Sequence, residues 1–331
     1  MLNAALLGTG ARAGGKALPS AEIDARLGKP QGWLESASGV ITRPVIAEGE
    51  TQESLAVDAA RLALADAGLE PEDIDLLLFA SAVGRQPIPS TATLIKRELG
   101  LTRCAAPAFD INATCLSAVA AMEVAALYIA AGRARHVLIV ASEIATRALP
   151  WAEDPATAAL FGDGAAALVL GPAQASGLHL REVMIETWAE GYDYCALPAG
   201  GTRYDLHTNR EDFEANAFFR MDGHALFKLT RAKLPDFIGR LLARAGWQQD
   251  EVDLVIPHQA SPLALEHMIR KCGFARERIV STIQQTGNLV AASIPMTLDT
   301  ARREGRITKA SKVLLIGTSA GVSIGGVTLQ A

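Results

Sequence analysis

The sequence predicts an α/β protein built from two similar halves. Strand-like apolar runs alternate with amphipathic helical runs along all 331 residues, which is typical of α/β folds. Two segments of the first half return in the second half: residues 67–75 resemble residues 245–253, and residues 136–142 resemble residues 312–318. The two offsets, 178 and 176 residues, nearly agree and are far too long for a solenoid, so they indicate a duplicated domain.

We expect one half to span residues 1–172 and the other residues 173–331. The chain opens with strand-like residues that lack the basic region of a signal peptide. A helix over residues 51–67 ends at Gly68, because glycine readily adopts the left-handed conformation that follows a helix. Its periodicity predicts one buried face, formed by Leu55, Ala59, Leu62 and Ala63.

The remaining elements of the first half follow in order. Residues 74–80 form a near-continuous apolar run, which predicts a strand buried on both faces. Ser90 can cap the next helix, and residues 108–111 form a further strand. An Ala-rich helix then runs to Gly132, and residues 136–141 form another buried strand. In the second half, residues 191–223 are irregular, and long irregular segments are often functional.

The composition allows a large core and predicts neither a nucleic-acid nor a membrane partner. Half of the residues are hydrophobic, a fifth are charged, and the formal net charge is −5. Since no block of like charges occurs, nothing in the sequence indicates binding to nucleic acid or to a membrane surface. The longest apolar stretch, residues 116–131, contains Glu123 and is short for a membrane span, which favours a buried helix.

The cysteines predict reduced thiols in a cytoplasmic protein. They form neither a Cys-x-x-Cys pair nor a zinc-ligand spacing, and the sequence shows no export signal. We therefore expect no metal site. The four residues are Cys104, Cys115, Cys195 and Cys272.

Cys115 is the first candidate for a catalytic residue. It lies where the strand at residues 108–111 gives way to the Ala-rich helix, and the free N–H groups at a helix N-terminus favour an anion. Because the thiolate is the reactive form of cysteine, we expect this position to lower the pKa of the thiol. His258 and Asn288 stand in apolar surroundings far downstream. The three side chains predict a nucleophilic site for thioesters at the interface of the halves.

Four motifs give the chain a resemblance to the β-ketoacyl-ACP synthase III enzymes of the thiolase superfamily. They are Asn-Ala-Thr-Cys at 112–115, Phe-Gly-Asp-Gly-Ala-Ala at 161–166, Pro-His-Gln-Ala at 257–260 and Gly-Asn-x-x-Ala-Ala-Ser-x-Pro at 287–295. Their order along the chain and the duplicated architecture both match that family. The resemblance implies a thiolase-like five-layer αβαβα fold and a homodimer.

The same resemblance implies a reaction. An acyl group passes from acyl-CoA to Cys115, malonyl-ACP loses carbon dioxide, and the resulting carbanion attacks the enzyme thioester. His258 and Asn288 match the pair that binds the malonyl thioester carbonyl, and Ala320 matches the residue whose backbone N–H completes an oxyanion hole with that of Cys115. Acyl-CoA and malonyl-ACP are then the substrates, acyl carrier protein is the partner, and no cofactor is implied.

The resemblance also implies contacts outside these catalytic residues. Substrate contacts are assigned to Trp33, Arg85, Ile88 and Phe227. Positive charge for coenzyme A or the carrier protein is assigned to Lys228, Arg231, Arg270 and Lys271. The chain departs from the family pattern where arginines are replaced by Ala37, Pro155 and Leu263.

The sequence leaves other functions open. One is an acyltransferase that passes the acyl group to an alcohol or amine without releasing carbon dioxide. Another is a condensing enzyme with a dicarboxylic primer, for example glutaryl-CoA giving 3-oxopimeloyl-ACP for biotin synthesis, because Arg85 and Arg147 suit a second carboxylate. A non-catalytic partner or a nucleotide-binding module is the third. The presence of both His258 and Asn288 favours decarboxylative condensation.

Overall fold

The computed structural model of the chain describes residues 3–173 and 177–331. The first two residues of the predicted opening strand and residues 174–176 of the predicted join lie outside the described residues. The strands are β1 (Ala4–Ala13), β2 (Lys16–Pro19), β3 (Thr42–Val45), β4 (Leu76–Ala80), β5 (Ala108–Ile111), β6 (Val137–Ile144), β7 (Asp163–Pro172), β8 (Leu178–Thr187), β9 (Cys195–Ala196), β10 (Arg220–Met221), β11 (Leu254–Pro257), β12 (Lys312–Ser319) and β13 (Ser323–Gln330). The α-helices are α1 (Ser20–Arg26), α2 (Trp33–Ser38), α3 (Gln52–Ala67), α4 (Thr91–Glu98), α5 (Ser117–Ala130), α6 (Pro155–Ala158), α7 (Arg210–Ala215), α8 (Gly223–Ala245), α9 (Pro262–Cys272), α10 (Ile283–Thr286) and α11 (Ser293–Arg303).

A nine-stranded sheet contains the duplication that the sequence predicts. Its order is β11-β12-β13-β8-β1-β7-β6-β4-β5. In the first half β4 is parallel to β6, and the pairs β6–β7 and β7–β1 are antiparallel. In the second half β11, β12, β13 and β8 repeat this pattern, and a single bridge between Val255 and Ile279 stands where the first half has β5. The halves meet where β1 pairs briefly with β8. The prediction of two similar halves is confirmed, whereas their boundaries stay a prediction.

Each half of the sheet packs against helices on both of its faces, and this packing gives five layers. On β4, Leu76 and Leu78 pack with α5, while Leu77 and Phe79 face the opposite side and pack with α3 and α4. α5 and α11 share one apolar cluster with strands of both halves, so they form the middle layer. α8 and α9 cover the outer face of the second half-sheet. The resulting order of layers is αβαβα, as the resemblance implies.

The helix predicted over residues 51–67 is α3, but its buried face differs from the prediction. Thr51 caps it through a hydrogen bond from Ser54 N–H, and Gly68 ends it with a φ of +66°. Leu62 is 48% exposed, because the buried arc is centred on the alanines. Those alanines pack closely on β1: a Cβ added at Gly8 would lie 2.3 Å from the Ala63 oxygen. The glycine in β1 therefore allows close packing of helix on strand.

The other first-half elements agree with the sequence except at one cap. β4, β5, α5 and β6 lie where strands and a helix were predicted. Ser90 precedes α4, but its side chain makes no capping bond. The carboxylate of Asp110 accepts the N–H groups of Thr91 and Ala92 at 2.9 and 2.8 Å, so a residue on β5 caps the helix instead. Among the described residues, none of the helices is long and apolar enough to cross a membrane.

Candidate active site

Cys115 lies in a short 3-10 turn, Thr114–Leu116, that leads directly into α5. Its side chain is partly buried. The backbone N–H groups of Cys115 itself and of Ala320, which follows β12 in the other half, both favour a negative charge on the sulfur. Two N–H groups from different halves therefore face the atom at which an acyl group would be attached.

The prediction that this position lowers the pKa of the Cys115 thiol is wrong. Burial raises the pKa well above its ordinary value, and the nearby thiol of Cys195 and carboxyl of Glu143 raise it further. The N–H groups of Cys115 and Ala320 act in the opposite direction but do not compensate for the loss of water. Cys195 and Ala320, which both act on this thiol, come from the second half, and a helix N-terminus in the sequence does not reveal them.

His258 follows β11 and is 8% exposed. Its backbone N–H donates to the Ile316 carbonyl at 2.8 Å, which fixes the residue beside β12. Burial lowers the pKa of the imidazole to about 4, so the ring is neutral at pH 7 and carries one N–H. Its Nδ1 has no hydrogen-bond partner among residues 3–173 and 177–331.

Asn288 is 6% exposed and has a defined amide orientation. Its Oδ1 accepts the N–H of Val290 at 2.8 Å, so Nδ2 is the group left to donate elsewhere. The only described acceptor of Nδ2 is the Ala260 carbonyl, at a long distance of 3.4 Å. The carboxamide thus holds a donor that is weakly used within the described chain.

Short contacts connect these three side chains into one region. Asn288 bonds to Ala260, whose N–H donates to the His258 carbonyl at 3.0 Å. Gly317 lies between His258 and Leu116, the neighbour of Cys115: a Cβ there would approach the His258 Cβ to 2.8 Å and the Leu116 Cδ2 to 3.1 Å. A side chain at Gly317 would therefore separate the two halves of the site.

The turns that carry Cys115 and Asn288 are copies of each other, 176 residues apart. Thr114 N–H donates to Asn112 Oδ1 at 2.9 Å, as Val290 N–H does to Asn288 Oδ1. In both turns a second N–H donates to the hydroxyl oxygen of the serine that begins the following helix: Ala113 N–H to Ser117 and Leu289 N–H to Ser293. Thr114 and Val290 also share a φ of 50°, which is unusual for non-glycine residues. Cys115 corresponds to Ala291 in this alignment.

Glu143 is a site residue that the sequence reasoning missed. It lies near the end of β6, is 3% exposed, and accepts the Ala82 N–H at 2.7 Å. Burial raises the pKa of its carboxyl to about 8, against the opposing effect of N–H groups of Ala82, Ala291 and Val83. In the sequence, Glu143 is a single carboxylate near the end of a largely apolar strand. That pattern does not predict which backbone N–H groups the carboxylate contacts.

A cavity of about 70 Å³ reaches His258 from the surface between α8 and α9. Phe227 and Arg231, both predicted contacts, line it together with His267. The His267 ring packs edge-on against Phe227 with centroids 4.4 Å apart. Burial lowers the pKa of His267, and the charges of Arg231, Arg270 and Lys271 lower it further. Of the four predicted basic residues, Arg231 lines the cavity, Arg270 and Lys271 act on His267 through their charge, and Lys228 is exposed on α8.

The remaining predicted substrate residues lie on other surfaces. The Trp33 ring is covered by the Lys29 ammonium, 5.0 Å from its centroid. Arg85 forms an ion pair with Glu53 at 2.7 Å, on a surface formed with α3. Ile88 is 85% exposed. None of these three side chains lines the cavity that reaches His258, and their substrate contacts stay predictions.

Two family models match the chain. Residues 109–187 match the model described as 3-oxoacyl-[acyl-carrier-protein] synthase III, and residues 242–331 match its C-terminal counterpart. The first range contains Cys115 and the second contains both His258 and Asn288.

Relatives and solved structures agree with these matches over the full length. The chain is 34% identical to the β-ketoacyl-[acyl-carrier-protein] synthase III of Coxiella burnetii and 32% identical to that of Neisseria gonorrhoeae, covering 100% of each chain. The crystal structure of the 3-oxoacyl-(acyl carrier protein) synthase III from Pseudomonas aeruginosa superimposes with a TM-score of 0.87 at 32% identity, over 99% of this chain and 98% of that one. The corresponding enzyme from Aquifex aeolicus gives 0.88 at 29% identity, over 99% and 100%.

Proposed function

The chain belongs to the 3-oxoacyl-[acyl-carrier-protein] synthase III family of condensing enzymes, and from that premise we propose how its residues divide the reaction. Cys115 accepts the acyl group from acyl-CoA, and coenzyme A leaves with the thiol proton. His258 and Asn288 bind the thioester carbonyl of malonyl-ACP. Loss of carbon dioxide gives a carbanion that attacks the acyl group on Cys115. This releases a 3-oxoacyl-ACP and the Cys115 thiolate, which takes up a proton from water to regenerate the thiol.

One observation carries this assignment. The N–H groups of Cys115 and Ala320 both face the Cys115 sulfur, so a carbonyl attached there would place its oxygen near two fixed donors. Each tetrahedral step puts negative charge on that oxygen, and preorganised donors in a dry site stabilise it strongly. Because Ala320 comes from the second half, the hole depends on the packing of the halves.

Two neutral donors suit the decarboxylation step. As carbon dioxide leaves, negative charge develops on the malonyl thioester oxygen. The imidazole of His258 is neutral at pH 7, since burial holds its pKa near 4, and Asn288 keeps Nδ2 as its free donor. Both side chains can therefore donate without holding a charge of their own.

The function is tested by following both half-reactions. With acyl-CoA alone, we expect intact-mass analysis to show one acyl adduct, absent from Cys115→Ala. With malonyl-ACP added, carbon dioxide and 3-oxoacyl-ACP should form in equal amounts. Acyl transfer to an acceptor without carbon dioxide release would instead reject condensation in favour of the simple acyltransferase.

The dicarboxylic-primer alternative gains no support. It rested on Arg85 and Arg147, but Arg85 is already paired with Glu53 at 2.7 Å. Arg147 lies beyond β6, where its charge acts on Asp163. A second carboxylate would have to compete with an existing partner at Arg85.

The basic residues near the His258 cavity support a docking site for the acyl carrier protein. Lys228, Arg231, Arg270 and Lys271 are exposed, and no ion pair involves them within the described chain. Carrier proteins that deliver a thioester to His258 would pass this opening. These cations would then compensate for the arginine that Leu263, 77% exposed, replaces.

Reversing two of these charges should weaken carrier binding. We expect Arg270→Glu with Lys271→Glu to raise the KM for malonyl-ACP roughly tenfold at low salt, because rim charges steer association. Acylation by acyl-CoA should change little. The matched control is Lys309→Glu, on an exposed turn before β12. Equal effects of the double variant and the control would remove this assignment.

A homodimer is also consistent with the fold. β5 is an edge strand of the nine-stranded sheet, and exposed edges favour pairing with another chain. Near it, Phe109 packs on Tyr128, and Ile88 and Leu127 leave large apolar surfaces exposed. We infer that two copies pair through this edge, which a monomeric mass by light scattering would contradict.

Cytoplasmic location stays a prediction.

A further inference from the structure

We propose that Glu143 is the positioning residue of the Asn288 turn, and that its carboxyl group occupies the second half's counterpart of the oxyanion hole. This inference rests on the proposed function, because it takes the N–H of Cys115 as part of that hole. It adds a residue to which neither the motifs nor the family comparisons assign a role.

The argument begins with the duplicated turns. Each has an asparagine, a residue with φ 50°, and a serine that closes the turn at the start of the next helix. Position by position, Cys115 and Ala291 are equivalent. Their backbone N–H groups therefore point in equivalent directions from the two turns, toward the interface between the halves.

The two N–H groups meet different partners. That of Cys115 faces its own sulfur beside the N–H of Ala320, where a substrate carbonyl would lie. That of Ala291 faces the carboxyl group of Glu143. The same carboxyl also faces the N–H groups of Ala82 and Val83, in the loop after β4. The Glu143 side chain, from the first half, thus occupies the position next to the Ala291 N–H that corresponds to the oxyanion hole next to the Cys115 N–H.

The contact between the Glu143 carboxyl and the Ala291 N–H holds the Asn288 turn in its position and orientation. Ala291 is three residues after Asn288, and the Val290 N–H between them holds the Asn288 carboxamide. A turn that carries a residue with positive φ needs such outside support to keep its conformation. Removing the carboxyl would take the acceptor away from the N–H groups of Ala82, Val83 and Ala291, and the turn would relax toward other partners.

The expected consequence is selective. Glu143→Ala should reduce decarboxylation of malonyl-ACP about 100-fold, comparable to loss of one donor, while acylation of Cys115 by acyl-CoA stays within a few-fold. Formate or acetate should restore part of the lost rate, because a small carboxylate can enter the vacated position. Neither salt should stimulate the unmodified enzyme or Asn288→Ala.

A second variant keeps the test decisive if the alanine variant does not fold. Glu143→Gln has the same shape but cannot ionise, and it presents an NH₂ group to one of three N–H donors. At pH 9, above the Glu143 pKa of about 8, decarboxylation should therefore fall about tenfold more than acylation. The matched control is Asp75→Ala, since Asp75 also accepts two backbone N–H groups, of Arg135 and His136, but before β4. Its two half-reactions should change in equal proportion.

Three results would overturn the proposal. One is normal decarboxylation in a folded Glu143→Ala. Another is an equal loss of both half-reactions without rescue by formate or acetate. The third is a Glu143→Gln enzyme that retains the unmodified ratio of decarboxylation to acylation. Failure of the proposed function itself would appear differently, as absence of any acyl adduct on Cys115 in the unmodified protein.

Discussion

His258→Ala and Asn288→Ala should each slow condensation by about 10²–10³-fold while the acylation of Cys115 continues. In the proposed division of the reaction, both side chains donate to the malonyl thioester oxygen, where charge develops only as carbon dioxide leaves. The same proposal gives acylation another pair of donors, the N–H groups of Cys115 and Ala320 that act on the Cys115 sulfur. The structure therefore predicts that the two half-reactions can be separated by mutation.

The measurement is a pair of single-turnover experiments on each variant. Intact mass follows acyl-Cys115 formation, and labelled carbon dioxide follows the second step. Asn112→Ala is the informative comparison, because Asn112 supports the Cys115 turn as Asn288 supports its own. It should impair acylation rather than decarboxylation. Decarboxylation at a near-normal rate in either His258→Ala or Asn288→Ala would refute the role given to that residue.

The architecture could be predicted from the sequence because short local patterns indicate the strands, the helices and the duplication. Apolar runs marked β4 and β6, Gly68 marked the end of α3, and two repeated segments revealed the halves. Motifs likewise identified Cys115, His258 and Asn288 as candidates, whose catalytic roles stay predictions. These features depend on neighbouring residues in the chain, so no tertiary information was needed to find them.

What the sequence did not contain depends on contacts between distant segments. Glu143 meets Ala82 and Ala291 only after both halves have folded, and Glu53 becomes the partner of Arg85 in the same way. The pKa of Cys115 was misjudged for a related reason. A helix N-terminus is visible in the sequence, whereas the burial that outweighs it is not.

The raised pKa of Cys115 predicts a large effect of pH on the reactivity of this thiol. Because its pKa is raised, less thiolate is present at every pH than for an ordinary cysteine. Alkylation by iodoacetamide should therefore rise about tenfold per pH unit from pH 7 to 9, roughly 100-fold in all. An ordinary thiol, with a pKa of about 8.5, would already begin to level off in this range.

The experiment compares the folded protein with a peptide that contains residues 112–118. Site-specific mass analysis should give a logarithmic rate that rises linearly with pH up to pH 9 for Cys115, and one that already curves downward near pH 9 for the peptide. A plateau for the protein below pH 8 would mean that the N–H groups of Cys115 and Ala320, with the helix that follows, outweigh burial. In the expected case Cys115 is a protonated thiol in the free enzyme. The thiol then loses its proton to the departing coenzyme A as the sulfur attacks the bound thioester.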